Sequence, residues 1–356
     1  MTARPVFHPR LTSVAVPIAG FVLLVAVGGI APRLADVLNL ALPFFGLILV
    51  GYICGRLWDI PESGLAWMNA FIVYVALPAL FYNLIAATPI GELANWRFIL
   101  ITTGCTALAY ACGFGVGWFA SDGRLEQATI QGVAAGYSNV GYMGPGLTLA
   151  ALGTQSVVPT ALIFVFDSTF FFTLVPFLMS LSAQNKASAG ETARLVAWRV
   201  LTHPFNIATA LAIASAATQI HPPVPVEKLL TYLQNAAAPC ALFVMGVTVA
   251  QRPVSRIYPE MPILLLVKLI VHPLMVWVAM SLLGDFGRVW TFTAVLMAAL
   301  PPALNVFVMA GQYNVYVERA SSIIMAGTII SVVTVTGLLF LIAVGGVPYN
   351  LFALMR

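Results

Sequence analysis

Apolar residues along this chain gather into long runs separated by short polar connections. A helix that crosses about 30 Å of hydrocarbon needs about 20 such residues. Eleven runs meet that length, at about 12–30, 37–57, 65–87, 96–119, 127–152, 157–182, 197–217, 229–250, 261–283, 289–312 and 320–345. The pattern predicts an all-α polytopic membrane protein with no separate soluble domain. The longest polar connection, SAQNKASAGETARL at about 183–196, divides the runs into two sets.

Two runs carry helix breakers where a continuous helix would be safest. One holds GYSNVGYMGPG, Gly136 to Gly146, and the other AALPPALNVFVMAGQY, Ala298 to Tyr313. Proline removes an N–H and clashes with the carbonyl four residues back, and glycine lowers the cost of unwinding. Freed backbone groups cost several kcal/mol each in lipid, so such breaks persist only against protein or a watery cavity.

The two sets repeat. Pro43 and Pro204 are 161 residues apart, as are Pro78 and Pro239, while Pro145 lies 156 and 157 residues before Pro301 and Pro302. Five spans per set force the second copy to insert upside down, the inverted repeat of secondary transporters, whose paired broken helices mark a binding site near the bilayer midplane. The predicted organisation is an N-terminal segment with an additional helix at 1–36, a first repeat at 37–182, a cytoplasmic connection at 183–196, a second repeat at 197–345 and a tail at 346–356.

Composition agrees with this reading. Of 356 residues 61% are hydrophobic and 8% charged, against roughly 25% charged in a soluble domain. The net charge of +4 is spread over short connections and forms no basic tail, which argues against a nucleic-acid partner. Cys54, Cys105, Cys112 and Cys240 lie in apolar runs without metal-binding spacing. No metal or cofactor is expected. Lysines and arginines concentrate in alternate connections in a way that places the N-terminus in the cytoplasm and the C-terminus outside the cell membrane. The first run also reads as a secretory signal, with Arg4 and Arg10 ahead of it and Gly29-Ile30-Ala31 behind; its length favours a retained helix.

Candidate chemistry collects at the breaks. Half-helix N-termini carry exposed N–H groups and partial positive charge, which suits a carboxylate. Asn139 and Asn305 stand beside the breaks and both donate and accept hydrogen bonds without a fixed charge. Either they meet a substrate, together with Gly141, Gly144, Pro145, Pro301 and Pro302, or they satisfy backbone freed by their own kinks. Tyr137, Ser138, Tyr142 and Asn83 are candidates to line the same space. Asp167 and Lys268 lie deep in spans, where each costs roughly 2.5–3.5 kcal/mol on insertion scales and needs a partner or water. They read either as a structural ion pair or as a coupling site, with His272 one helical turn after Lys268. HExxH, GxSxG and Walker sequences are absent, and no second intramembrane carboxylate accompanies Asp167, so an enzyme is not expected.

The ordered pieces LPFFGLILVGYICGRL, ALPALFYNLIA, SNVGYMGPGL, HPFNIATALAIA, NAAAPCALFVMGVTV, VKLIVHPLM and ALPPALNVFVMAGQY, over about 37–345, resemble the auxin efflux carrier family, including its prokaryotic malonate or organic-acid permeases. The resemblance implies ten core spans in two inverted repeats, with the fourth and ninth unwound and crossing near the midplane. It also implies a scaffold of the first, second, sixth and seventh core spans beside a moving transport part, and a homodimer. Asn139, Pro145, Pro301 and Asn305 take the crossover positions. Gly144-Pro145-Gly146 shifts the first proline by one from the family pattern, and the helix at about 12–30 is additional to the core.

The expected function is alternating-access transport of a small organic anion, a mono- or dicarboxylate such as malonate or an auxin-like weak acid. Coupling to protons or to sodium both remain open, as does a membrane sensor that binds the ligand without carrying it.

Overall fold

The computed structural model describes residues 32–58, 60–182, 204–220, 222–251 and 257–352, with isolated positions at 190, 194, 198, 201 and 202. The first predicted run and most of the long polar connection lie outside the described residues.

Helix α1 is Pro32–Leu57. Helix α2 runs Glu62–Phe71, passes through a π turn at Ile72–Ala76 and continues as Leu77–Ala86. After one short turn, Ile90–Leu93, come α3 at Trp96–Ala120, α4 at Leu125–Gly136, α5 at Gly144–Leu152 and α6 at Val157–Ser180. The later helices are α7 at Pro204–Thr218 and α8 at Val224–Gln251. Helix α9 runs Met261–Leu266, a π turn at Val267–Val271, then His272–Leu283. It is followed by α10 at Gly287–Ala299, α11 at Asn305–Tyr313 and α12 at Val317–Ala343. The π turns precede Pro78 and Pro273, which lack the N–H that an α-helix would return to the previous turn.

Six described helices are long and apolar enough to cross a membrane: Ser63–Ala86, Ile90–Ala120, Thr154–Ser180, Val224–Gln251, Met261–Leu283 and Val317–Ala343. That number is below the eleven runs for identifiable reasons. Helices α1 and α7 enter this comparison only through the stretches Leu42–Leu57 and Ile207–Thr218. The runs at 127–152 and 289–312 each divide into two half-helices, α4 with α5 and α10 with α11. Beyond the first helix of each set, corresponding helices start at Glu62 and Val224, Trp96 and Met261, Leu125 and Gly287, Gly144 and Asn305, and Val157 and Val317, 160 to 165 residues apart.

Packing sorts the helices into two bodies. Helix α8 lies along α1 and α2, and α7 packs on α2; α3 lies along α4, with α6, α9, α10 and α12 around them. Close helix approach rests on small residues, as is usual where lipid removes the hydrophobic drive for association. A Cβ on Gly51 would fall 2.0 Å from the Phe243 carbonyl oxygen, and one on Gly246 2.0 Å from that of Ile48. The α1–α8 seam therefore exists only with hydrogen at both positions.

Candidate functional site

The backbone breaks meet each other. Helix α4 ends at Gly136, and Tyr137 turns extended at φ −83°, ψ 104°. Helix α10 ends at Ala299, and Leu300 adopts φ −60°, ψ 150°, as expected of a residue preceding proline. Ser138 and Pro302 then form an antiparallel bridge. The N–H of Asn139 donates to the Pro301 carbonyl at 2.9 Å, and the N–H of Ala303 donates to the Tyr137 carbonyl at 2.9 Å. Groups that unwinding would orphan in an apolar interior thus satisfy one another. Pro145 lies at the start of α5, where a missing N–H costs nothing, whereas Pro301 and Pro302 lie inside the unwound segment.

Beside this bridge lies a cleft of about 520 Å³, lined in part by Tyr137, Ser138, Asn139, Gly141, Ala303 and Asn305 from the two breaks. Val73 and Leu77 of α2 and Phe164, Ser168 and Phe172 of α6 complete its walls with Tyr142. A second cleft of about 660 Å³ shares Gly141 and Tyr142 with it and continues past Pro145, Thr148 and Thr160 to Gln234 and Asn235 of α8. Among the described residues no charged side chain lines either cleft. What this lining offers a ligand is neutral donors and backbone dipoles.

Asn139 is fully buried, its amide nitrogen 3.4 Å from the Met245 sulfur and its carbonyl oxygen without a partner. A sulfur is a weak acceptor, so this amide retains hydrogen-bonding capacity inside the cleft. Half-buried Asn305 donates to the Tyr137 hydroxyl at 3.3 Å, and that hydroxyl meets Ser168 at 3.0 Å. Asn139, Asn305, Tyr137, Ser138, Gly141, Tyr142 and Pro145 line the joined clefts. The other sequence candidates sit elsewhere. Gly144 packs on Met297 of α10 and Pro302 on Gly327 of α12, while Pro301 acts through its carbonyl. Asn83 donates to Gln234 at 2.8 Å and so acts behind the second cleft, on one of its lining residues.

Asp167 and Lys268 are buried but make no direct ion pair; among the described residues the salt bridge is that of Arg319 with Glu260. They are joined through two intermediates. Thr106 of α3 donates to Asp167 Oδ2 at 3.0 Å, His272 Nε2 lies 3.3 Å from the Thr106 hydroxyl, and His272 Nδ1 lies 3.3 Å from Lys268 Nζ. Lys268 donates to the carbonyl of Ala298, at the C-terminal end of α10, at 2.6 Å. A cation there meets the negative end of a half-helix dipole. The carbonyl of Ala298 also accepts from Ser138 at 3.3 Å.

Sequence reasoning missed Thr106, Ser168 and Gln234, since a lone hydroxyl or amide in an apolar helix usually serves its own backbone. It also missed the cluster at the starts of α9 and α12. There Glu260, 4% exposed, accepts from Tyr316 at 2.5 Å and from Arg319 at 2.7 Å, and the Arg319 guanidinium lies 4.5 Å from the Tyr258 ring centre. Glu260 and Arg319 are 59 residues apart, and no local spacing reveals the pair.

The sequence profile of a family described as Membrane transport protein matches residues 36–339. A Rhizobium meliloti protein named "Putative malonate transporter" is 46% identical over 319 residues, 90% of this chain and 100% of the relative. An "Uncharacterized transporter" of Methanothermobacter thermautotrophicus is 25% identical over 81% of this chain and 92% of its own length. A mouse "Lysosomal cholesterol signaling protein" is 24% identical over 81% of this chain but only 35% of its own length. The profile match and the 46% identity place this chain in the membrane transport protein family of the auxin efflux carriers, as a transport protein and not an enzyme.

Proposed function

We propose that the protein is a secondary carrier of small organic anions, with malonate the first candidate, which binds its substrate where the two breaks pair. The observation that carries this reading is the unpartnered carbonyl and weakly engaged amide of fully buried Asn139, held by backbone pairing at the wall of an uncharged cleft. The amide would donate to one carboxylate oxygen. Asn305, shared with Tyr137, would donate to the other. The malonate name of the relative at 46% identity supports the substrate class.

The clefts support alternating access because they lie between two packed bodies. Their walls from α2 and α8 belong to one, and those from the breaks and α6 to the other. Sliding the second body against the first would expose the site to each side of the membrane in turn. The near-constant offset between corresponding helices supports two inverted five-helix repeats. In this reading the protein is a homodimer in the cell membrane with its C-terminus outside, and the α1, α2, α7 and α8 body is the scaffold.

Uptake of labelled malonate into proteoliposomes tests the proposal. Asn139→Ala and Asn305→Ala should each lower uptake at subsaturating substrate by about tenfold or more, the loss expected of one hydrogen bond to a charged group, about 1.5–3 kcal/mol. Undiminished specific uptake in both variants would refute the site. Ligand binding without counterflow in the wild type would favour a membrane sensor, the reading suggested by the signalling relative.

A further inference from the structure

The line Asp167, Thr106, His272, Lys268 has a single consistent direction. A lysine ammonium only donates, so Lys268 gives hydrogens to the Ala298 carbonyl and to His272 Nδ1. That assignment puts the imidazole proton on Nε2, which then donates to the Thr106 hydroxyl. Thr106 spends its one hydrogen on Asp167 Oδ2. Asp167 Oδ1 is buried and makes no well-formed hydrogen bond, and the buried hydroxyl of Thr103, also unsatisfied, lies near the carboxylate. The chain of donors thus runs from a cation to a carboxylate with one vacant acceptor at its end.

Each end lies one residue behind the cleft lining. At one end Lys268 and Ser138 share the Ala298 carbonyl, and Ser138 lines the cleft. At the other end Ser168, next to Asp167 on α6, meets the Tyr137 hydroxyl that also holds Asn305. The remaining titratable groups nearby are Cys105 and Tyr110 on α3 and Tyr137, all uncharged in their ordinary protonated forms. Buried polar side chains on α4, α10 and α12, such as Gln131, Thr293 and Thr328, carry no charge. Glu260 is occupied by Arg319 and Tyr316 at the helix ends.

Charge balance then decides what the line does. With Asp167 ionised and Lys268 protonated it is neutral, and a carboxylate entering the uncharged cleft would be uncompensated in a low-dielectric interior. A proton from water that forms an O–H bond at Asp167 Oδ1 leaves Lys268 as a net positive charge next to the crossing. No bond in the protein breaks, and the proton returns to water when the anion leaves. We infer that this line is a proton site, filled together with the anion at the crossing, so that one proton travels with each monoanion. The inference rests on the anion-carrier reading above.

Proteoliposomes separate the two claims. Exchange of labelled external for unlabelled internal malonate reports anion carriage alone; its absence in the wild type for malonate and other carboxylates would overturn the carrier reading and the inference with it. Accumulation driven by a pH gradient, acid outside, with the membrane potential clamped at zero and protein-free liposomes as the leak control, reports coupling. A one-unit gradient should drive wild-type accumulation of the carried monoanion toward about tenfold. Asp167→Asn, neutral at every pH, should exchange malonate without accumulating it, and Thr106→Val should accumulate less than wild type. Wild-type exchange with accumulation indifferent to the gradient, or dependent on sodium, would overturn the proton site. Should Asp167→Asn fail to fold, malonate added to purified wild type in weak buffer decides the matter: about one proton taken up per anion bound, beyond that needed to make the monoanion, supports the site, and none beyond it overturns it.

Discussion

The backbone N–H of Asn139 and the carbonyl of Pro301 meet at 2.9 Å, and the same bond recurs with Ala303 as donor and Tyr137 as acceptor. Exchanging positions 164 residues apart, Asn139 with Ala303 and Pro301 with Tyr137, turns one bond into the other, so the bridge has a local two-fold. The asparagines do not share it. Asn139 corresponds to Ala303, and Asn305 corresponds to Gly141, yet all four line one cleft. A symmetric backbone therefore carries an asymmetric set of side chains.

That asymmetry predicts unequal asparagine variants. Asn139 is fully buried with a free carbonyl oxygen, whereas Asn305 is half-buried and already engaged by Tyr137. Asn139→Ala should weaken malonate binding several-fold more than Asn305→Ala, read as the malonate-induced rise in melting temperature of each purified variant. Equal losses would show that the two amides share the ligand evenly.

Gly246→Ala should destabilise the protein by about 1–3 kcal/mol, the usual cost of overpacking. Its methyl would sit 2.0 Å from the Ile48 carbonyl oxygen, against backbone that cannot rotate away. Gly337→Ala in α12 is the control, because nothing lies within 4 Å of its Cβ. There the gain in helix propensity should leave melting unchanged or raised.

Lys268→Met should cost about 1–3 kcal/mol, since it leaves the buried Ala298 carbonyl and His272 Nδ1 without their donor. The double variant with Asp167→Asn should lose less than the sum of the single losses. Chemical denaturation of all four proteins in detergent measures the coupling. Strict additivity would mean that Thr106 and His272 do not link the two charges.

Burial pushes the Glu260 carboxyl up, but hydrogen bonds from Tyr316, its own backbone and Arg319 outweigh it and hold the group below the ordinary value. A depressed carboxyl contributes stability that is fully present above its unfolded value, about 4.3, and is lost as pH falls through the lower folded value. Arg319→Gln should therefore flatten the acid limb of stability below about pH 4.5. At neutral pH it should cost about 1–3 kcal/mol, less than a fully buried pair because the Arg319 side chain is 40% exposed. Melting temperature followed from pH 3 to 7 reads both.

Much of this architecture was legible because its causes are local. Apolar run length fixes where helices cross lipid, and Pro145, Pro301 and Pro302 fix where two of them restart or break, since a missing N–H acts within one turn. The positions of Asn139, Asn305, Asp167 and Lys268 in deep apolar sequence marked them as requiring partners for the same reason. The partners themselves were not legible. That Lys268 turns to the Ala298 carbonyl and reaches Asp167 only through His272 and Thr106 depends on four helices brought together from positions 106 to 298. That Gly144 and Pro302 face neighbouring helices while Asn139 faces a cleft depends on the angle at which each half-helix leaves its break. Covalent chemistry and the cost of bare backbone in lipid decide which residues cannot stay alone, and only the packing of distant helices decides what each of them meets.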